Sequence, residues 1–289
     1  MRIANIIMGY KDPSQIERMI KAMNHPDCFF FIHIDKKIRL EPFLSLKDID
    51  RVIFIENRLL CNWGGFSFVK AVINALEEIL NSHASFDYYN LMSGQDYPIK
   101  PIHQIVTYLE KNVGKSFISY DEDYTRDWWR HAVSRYQEYH FTDFSFKGRY
   151  IVQAVINKIM PKRKFPLPMK MYGSSISSWW TLQADCAKYL VDFAKKETKL
   201  IKFMELTWGA DEFFYATILM NSPLKDSIVN DNLRLITWED GLANPLILKL
   251  KDFKLIKDSR KLFARKFDIK VDLDILKEVD EKLLNAKSE

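Results

Sequence analysis

Two adjacent carboxylates, Asp211 and Glu212, sit in the stretch Trp208-Gly209-Ala210-Asp211-Glu212-Phe213-Phe214-Tyr215-Ala216-Thr217, where a glycine turn runs into an apolar segment. Phe213, Ala216, Thr217 and Met220 recur at helical spacing, which predicts a helix with one buried face. Asp211 and Glu212 then fall in its first turn. There the free backbone N–H groups and the helix dipole favour an anion and lower a carboxylate's pKa. A carboxylate that is ionised near neutral pH can accept a proton, the chemistry of a general base. The same two residues also serve, with no chemistry at all, as ordinary caps and dipole partners of a helix start.

Other polar residues gather after runs that read as strands. Tyr10-Lys11-Asp12 follows the first and Asp35 ends the second. Cys61-Asn62-Trp63-Gly64-Gly65 precedes a helix, whose free N–H groups suit a phosphate or ribose. Ser93-Gly94-Gln95-Asp96-Tyr97-Pro98 follows a fourth run. Strand-end Asp and Gly are common turn residues, so each is weak alone. Four on one edge carry more, because ligands of open α/β sheets bind outside the carboxyl ends of the strands. There is no Walker loop, GxGxxG, HExxH or nucleophile elbow. Hard divalent cations take carboxylate oxygens, and three Asp-x-Asp triplets exist: 48–50, 121–123 and 272–274. Only Asp121-Glu122-Asp123 follows a strand-like run. Acidic loops are usually just solvated. Near the end, Leu262-Phe263-Ala264-Arg265-Lys266-Phe267-Asp268 holds a cation pair between apolar anchors. Such a pair could neutralise a leaving pyrophosphate without metal, or form a basic turn docked by its apolar neighbours.

The elements that must position these residues alternate. Strand-length apolar runs cover 2–8, 29–34, 52–55, 88–92 and 116–120. Helical patterns cover 65–80 and 102–111, and another starts at Asp12-Pro13, with Pro at the first position and Gln15 placed as in a capping box. This predicts a mostly parallel sheet covered on both faces, whose first half looks like a nucleotide-binding domain. Residues 121–170 break the alternation with aromatic and basic clusters (Trp128-Trp129-Arg130-His131, Arg135-Tyr136, Tyr139-His140-Phe141). They read as an insertion over the open sheet edge, part of an acceptor cleft, or as an amphipathic arm with a solvated basic face. Proline-punctuated 161–168 reads as an exposed connection. A strand at 177–183, a helix after Asp185, one or two strands in 228–237 and helices at 252–261 and 271–284 complete the chain. With no boundary visible, the 289 residues read as one domain: 1–120 a nucleotide-sugar half, 121–289 an acceptor-binding and catalytic half.

Composition narrows the partners. Aromatic residues make up 14% of the chain, an excess of flat faces suited to sugars and bases. The net charge of +5 suits a phosphate-bearing ligand or an anionic surface. No polybasic run interleaved with aromatics points to nucleic acid. Three cysteines, an odd number without CxxC spacing, favour a reducing cytoplasm. No signal peptide or bilayer-spanning stretch is evident, and Lys162-Arg163-Lys164 is compatible with peripheral attachment at the inner face of a membrane.

Taken together, these segments resemble the core-2/I-branching N-acetylglucosaminyltransferase family, which includes peptide O-xylosyltransferases. The resemblance runs from residue 4 to about 284. It rests on Tyr10-Lys11-Asp12-Pro13, His25-Pro26-Asp27, Ile32-His33-Ile34-Asp35-Lys36, Trp63-Gly64-Gly65, Ser178-Trp179-Trp180, Asp211-Glu212-Phe213-Phe214 and the Arg265-Lys266 tail segment. Residues 91–100, Leu91-Met92-Ser93-Gly94-Gln95-Asp96-Tyr97-Pro98-Ile99-Lys100, are the most specific. The resemblance implies a GT-A type, Rossmann-like fold and an inverting, metal-independent transfer of GlcNAc or xylose from a UDP-sugar to a glycan or glycolipid hydroxyl. It makes Glu212 the general base and Lys266 a contact of the donor diphosphate. A second diphosphate contact has no Arg in 243–251, so Lys249, Lys251 or Arg265 is left for it. Asp35, Tyr10 and the Trp63-Gly64 turn would hold the nucleoside, and Asp96 would face the donor sugar or orient its loop. Asp211, Trp179, Trp180, Arg130 and Arg135 would line the acceptor side. No cofactor or metal is expected, and the missing anchor suggests a bacterial, cytoplasmic member serving polysaccharide synthesis. Two alternatives stay open: a metal-dependent transferase using Asp121 and Asp123, and a glycan- or sugar-nucleotide-binding module without catalysis.

Overall fold

Strand β1 (Ile3–Gly9) is buried at every position, as a central strand covered on both faces must be. Its side chains alternate: Ala4, Ile6 and Met8 enter one hydrophobic cluster and Ile3 and Ile7 the other. The computed structural model describes residues 1–239 and 244–285. After β1 come α1 (Pro13–Ala22), β2 (Cys28–Ile34), β3 (Val52–Phe54), α2 (Phe66–Leu80), β4 (Tyr88–Ser93), β5 (Asp96–Pro98) and α3 (Ile102–Glu110). Then follow β6 (Ser116–Ile118), α4 (Asp127–Gln137), α5 (Arg149–Ile159), β7 (Trp180–Gln183), α6 (Ala184–Lys196), α7 (Thr198–Met204) and α8 (Phe214–Met220). The chain continues through β8 (Ile228–Val229), β9 (Arg234–Ile236), α9 (Phe253–Asp258), β10 (Phe263–Arg265) and α10 (Asp274–Val279).

Seven strands form one sheet in the order β3-β2-β1-β4-β7-β6-β8. The first four are mutually parallel, β7 runs antiparallel to both neighbours, and β8 is parallel to β6. This is the mostly parallel α/β sheet expected from the alternating pattern. Helices α2, α6 and α8 pack on one face, and α1, α3 and α10 on the other. Strands from both sequence halves share the sheet, which is why composition showed no boundary.

A second sheet, β5-β10-β9, rides on the end of β4. One buried cation ties the two together. Arg234 on β9 donates to the carbonyls of Leu91 (2.9 Å) and Trp180 (3.2 Å), to Thr181 Oγ1 (3.0 Å) and to Asn90 Oδ1. Asn90 in turn donates to Asn5 Oδ1 (2.9 Å). The network crosses β1, β4 and β7, and so fixes β9 and its neighbour β10 against the carboxyl end of β4.

The start of α1 departs from the capping box. Pro13 does occupy the first helical turn, but Asp12 adopts a left-handed backbone (φ 49°) and makes no cap. Its carboxylate pairs with Lys270 instead (2.7 Å). Gln15 reaches across the molecule: its Nε2 donates to the carbonyls of Gly94 and Phe267 (both 3.1 Å), and its Oε1 accepts from Ile269 N (2.9 Å). A side chain 1% exposed has no water to fall back on, so tertiary partners win over the local cap. Gln15→Ala removes three hydrogen bonds, though the Phe267 carbonyl keeps Gln95 Nε2 (3.0 Å), and is expected to lower stability by roughly 1–3 kcal/mol. A shift of the urea midpoint with unchanged slope measures it, and an unshifted midpoint contradicts this account.

Candidate active site

A cleft of about 580 Å³ opens at the carboxyl ends of the parallel strands. β1 supplies Met8, Gly9 and the following Tyr10, β2 supplies His33 and the following Asp35, and Ser93 and Gln95 come from the end of β4. Neighbours β2 and β4 leave β1 in opposite directions, so the cleft lies at the topological switch point, as the general rule for such sheets requires. Loops 61–64, 175–179 and 208–212, together with Arg265 and Lys266, close its sides.

The acidic pair is set differently from the helix-start expectation. Ala210–Glu212 form a 3-10 turn, and α8 begins only at Phe214. Gly173 abuts this turn: a Cβ there would lie 2.5 Å from the Glu212 carbonyl, which accepts from Ser174 N (3.1 Å). Glu212 Oε2 accepts from Arg135 Nη1 (2.6 Å) and Trp128 Nε1 (3.2 Å). Burial lifts the Glu212 carboxyl to about 7, against the opposing pull of the Arg135 guanidinium. Asp211 is also pushed up by burial, with the Ser178 hydroxyl pulling the other way. Both shifts are opposite in sign to the one a helix dipole produces: desolvation outweighs the helix terminus.

Helix α4 accounts for the partners of Glu212. Trp128 and Arg135 are seven residues apart, two turns on one face. Arg130 lies off that face, exposed and paired with Asp127 (3.3 Å), and does not line the cleft. Arg135 stacks on Trp208 (4.6 Å to the ring centroid), which meets Trp63 edge-on at 5.2 Å. Gly64 makes this meeting possible. It has φ +72°, and a Cβ on it would stand 2.6 Å from Trp208 Nε1. The Gly64 carbonyl accepts from Gly209 N (2.8 Å), so the two tryptophan–glycine turns are locked together. Trp63 itself is 62% exposed at the mouth of the cleft.

The tail brings the cations. Arg265 and Lys266 line the cleft side by side. Arg265 stacks on Trp179 (4.1 Å) and lies 3.5 Å from Asp96 Oδ1, with its Nη1 buried and lacking a hydrogen-bond partner among the described residues. Burial lowers the pKa of Lys266, and the neighbouring charges of Arg265 and Lys11 add to this. Two crowded cations facing a cleft are a site for an anion. Lys249 and Lys251 do not line the cleft, and Ala243 lies outside the described residues.

Of the two roles open to Asp96, the structure agrees with the second: it does not face the cleft but is completely buried, accepts from Ser93 N (3.2 Å) within its own loop and sits behind Arg265. One more expectation needs correction. Trp180 points from β7 into the core against Tyr215 (5.6 Å), because adjacent strand residues face opposite ways and Trp179 takes the cleft side. Tyr10 lines the cleft and hydrogen-bonds Gln95. Asp35 also lines it, with Oδ1 accepting from Lys37 N (3.0 Å) and Cys61 N (3.3 Å). Asp121 and Asp123 are not cleft residues: Asp121 lies 3.4 Å from Arg126 and Asp123 holds Thr125. Among the described residues no group of three or more His, Cys, Asp or Glu is arranged to hold a metal ion.

Trp128, Trp208, Gln95, His33 and Ser178 have no individual site role from sequence, although each falls in one of the stretches quoted above. His33 reads as a buried strand residue; it accepts from Leu59 N (2.9 Å), and burial lowers its pKa to about 4, so it is neutral.

Fold and site thus define an α/β protein with an acidic–cationic cleft at the sheet's switch point. Residues 3–257 match the family described as Core-2/I-Branching enzyme, and the chain belongs to that family. It is 27% identical to xylosyltransferase 2 of Rattus norvegicus over 97% of this chain, and 25% identical to xylosyltransferase 1 of Homo sapiens over the same share. The chain spans about a third of the length of these curated relatives (33% and 30%). Among solved structures it is similar to apo mouse xyloside xylosyltransferase 1, at 10% identity and a TM-score of 0.42 over 91% of this chain and 97% of that one.

The Glu212 environment sets a pH dependence for any reaction that needs it ionised. The carboxylate form is lost as pH falls through about 7, so kcat/KM is expected to drop below that pH. Arg135→Gln removes a cation that favours the ionised form, so the acidic limb should move to higher pH. A limb that stays in place in the variant would show that Arg135 does not act through Glu212.

Proposed function

We propose that this protein is an inverting glycosyltransferase that moves xylose or GlcNAc from a UDP-sugar to a hydroxyl of a glycan or protein-linked acceptor, without a metal ion. The observation that carries the reading is the half-buried carboxylate of Glu212 in the same cleft as Arg265 and Lys266. A base with a pKa near the working pH combines a useful ionised fraction with proton affinity. Glu212 takes the proton of the acceptor hydroxyl as its oxygen attacks the anomeric carbon. The bond from that carbon to the diphosphate oxygen breaks, and UDP leaves with the electron pair. Attack from the face opposite the leaving group inverts the configuration. Lys266 and Arg265 offset the charge that grows on UDP.

Other cleft residues fit supporting roles. Tyr10, Asp35 and the Trp63-Gly64 turn offer a ring and hydrogen-bonding groups for the nucleoside. Asp211 and Trp179 remain for the sugars, since a flat ring face suits a pyranose. That the relatives named above are xylosyltransferases supports xylose as the first donor to test. The cation pair supports metal independence, because it provides the charge a divalent ion would otherwise supply.

The test is UDP release from a panel of UDP-sugars in excess chelator, with water as the only acceptor and then with glycans and glycopeptides. Turnover of one donor in chelator is expected. Activity restored only by manganese would overturn metal independence, and UDP-sugar binding without turnover across the panel would favour a binding module. Glu212→Gln should fold normally and lose transfer by roughly 100-fold or more. Lys266→Ala should lower kcat and weaken donor binding together, since its charge is wanted in both states. Near-normal kcat in Glu212→Gln would remove the base assignment.

A further inference from the structure

Helix α5 is amphipathic the wrong way round. None of its residues is buried. Its two amide side chains face the protein: Gln153 Oε1 accepts from Phe141 N (2.8 Å), and Asn157 bonds both backbone groups of Tyr139 (2.7 and 2.9 Å). Its aliphatic face points to solvent, with Ile151 74%, Val155 52% and Ile159 71% exposed at i, i+4 and i+8. Val152 and Met160 extend this face, and Phe144, Phe146 and Tyr150 stand exposed beside it. Contiguous apolar surface of this kind marks an interaction site.

Charge identifies the occupant. Residues 144–170 contain seven Lys and Arg and no Asp or Glu. Lys147, Lys158 and Lys164 are exposed, and no carboxylate of the described residues pairs with them. The Lys162-Arg163-Lys164 triplet contributes less than its sequence promised. Arg163 is turned inward, donating to the carbonyls of Leu206 (2.6 Å), Glu138 (3.1 Å) and Phe203, and Lys162 is matched by Glu138. An aliphatic stripe rimmed by aromatics and unpaired cations fits the interface of an anionic bilayer. A second copy docked by the same face would bring lysine against lysine. A nucleic acid would leave the Ile and Val face without a use.

We propose that α5 and the turn before it form a docking surface for anionic lipid membranes. Ile151, Val155 and Ile159 enter the acyl boundary, and Lys147, Lys158 and Lys164 meet the lipid phosphates. The surface is fastened to the cleft. Asp143, next to Phe144, accepts from Ser67 N (2.8 Å) and from Asn62 Nδ2 (3.0 Å), and Asn62 lines the cleft. Docking would therefore hold the cleft at the membrane surface.

The experiment is co-sedimentation of the full chain with vesicles of phosphatidylcholine alone and of phosphatidylcholine containing phosphatidylglycerol. Partition into the anionic vesicles, declining steeply with salt, is expected, with little into the neutral ones. Ile151→Asp combined with Val155→Asp and Ile159→Asp should abolish it while the circular dichroism spectrum and unfolding midpoint stay unchanged, since the three side chains are exposed. Lys147→Glu with Lys158→Glu and Lys164→Glu should weaken it by roughly 100-fold, and this variant decides the matter if the aliphatic one unfolds. Wild-type protein that ignores anionic vesicles, or charge-reversed protein that binds them as wild type does, overturns the proposal. So does a dimer in sedimentation velocity that the aliphatic variant dissolves while vesicle binding is absent, which would assign the face to a second copy.

Discussion

A buried charge must find its partners or the fold around it fails, and Arg234 places that constraint at the junction of the two sheets. Its guanidinium is held by groups on β4 and β7, so β9 cannot slide along the end of the main sheet. Parallel pairing of β10 with β9, from Phe263↔Arg234 to Arg265↔Ile236, carries the restraint to the tail. Buried Asp96, across the antiparallel β5–β10 pair, stands opposite Arg265 and balances a second guanidinium. Gln15 and Gln95 then hold the Phe267 carbonyl beyond it. Arg265 thus ends a fixed strand and Lys266 follows it directly, although the two lie more than 150 residues from the strands whose carboxyl ends they cover.

The acidic side of the cleft answers to a different physics. A carboxylate at a helix start is easily ionised, whereas one walled in by indole rings and a backbone turn is not. Glu212 sits in the second setting, and Arg135, with a hydrogen bond from Trp128, opposes the burial that favours its neutral form. Burial outweighs these partners and raises the carboxyl to about 7, where small changes in either influence have large consequences for its charge. Placement of α4 therefore decides the protonation chemistry, even though α4 belongs to the segment that interrupts the α/β pattern.

That interrupting segment works on two sides. Trp128 and Arg135 of α4 look inward to Glu212, while α5 turns its aliphatic face outward. The reversal has a local cause. Backbone groups of Tyr139 and Phe141 lie against α5 and need partners, and Gln153 and Asn157 supply them. Satisfying buried backbone groups outweighs burying a few branched side chains, so the hydrophobic stripe is left facing solvent.

The sequence by itself determined the alternation of strands and helices, the polar residues at strand ends and the family. Each of these is written in periods of two and 3.6 or in contiguous motifs such as Ser93-Gly94-Gln95-Asp96 and Asp211-Glu212-Phe213. It could also name Arg135, Trp179 and Lys266 as residue types suited to sugars and phosphates. Only the tertiary structure decided which of them meet. Trp179 and Trp180 differ by one step of a pleat, and that step sends one to the cleft and the other to the core. Arg130 and Arg135 share a helix and part by its rotation. Gln15 abandons a local cap for partners 79 to 254 residues away. The pKa of Glu212 escapes the sequence for the same reason: a dipole is a local property that can be read along the chain, whereas desolvation depends on everything that folds over the group.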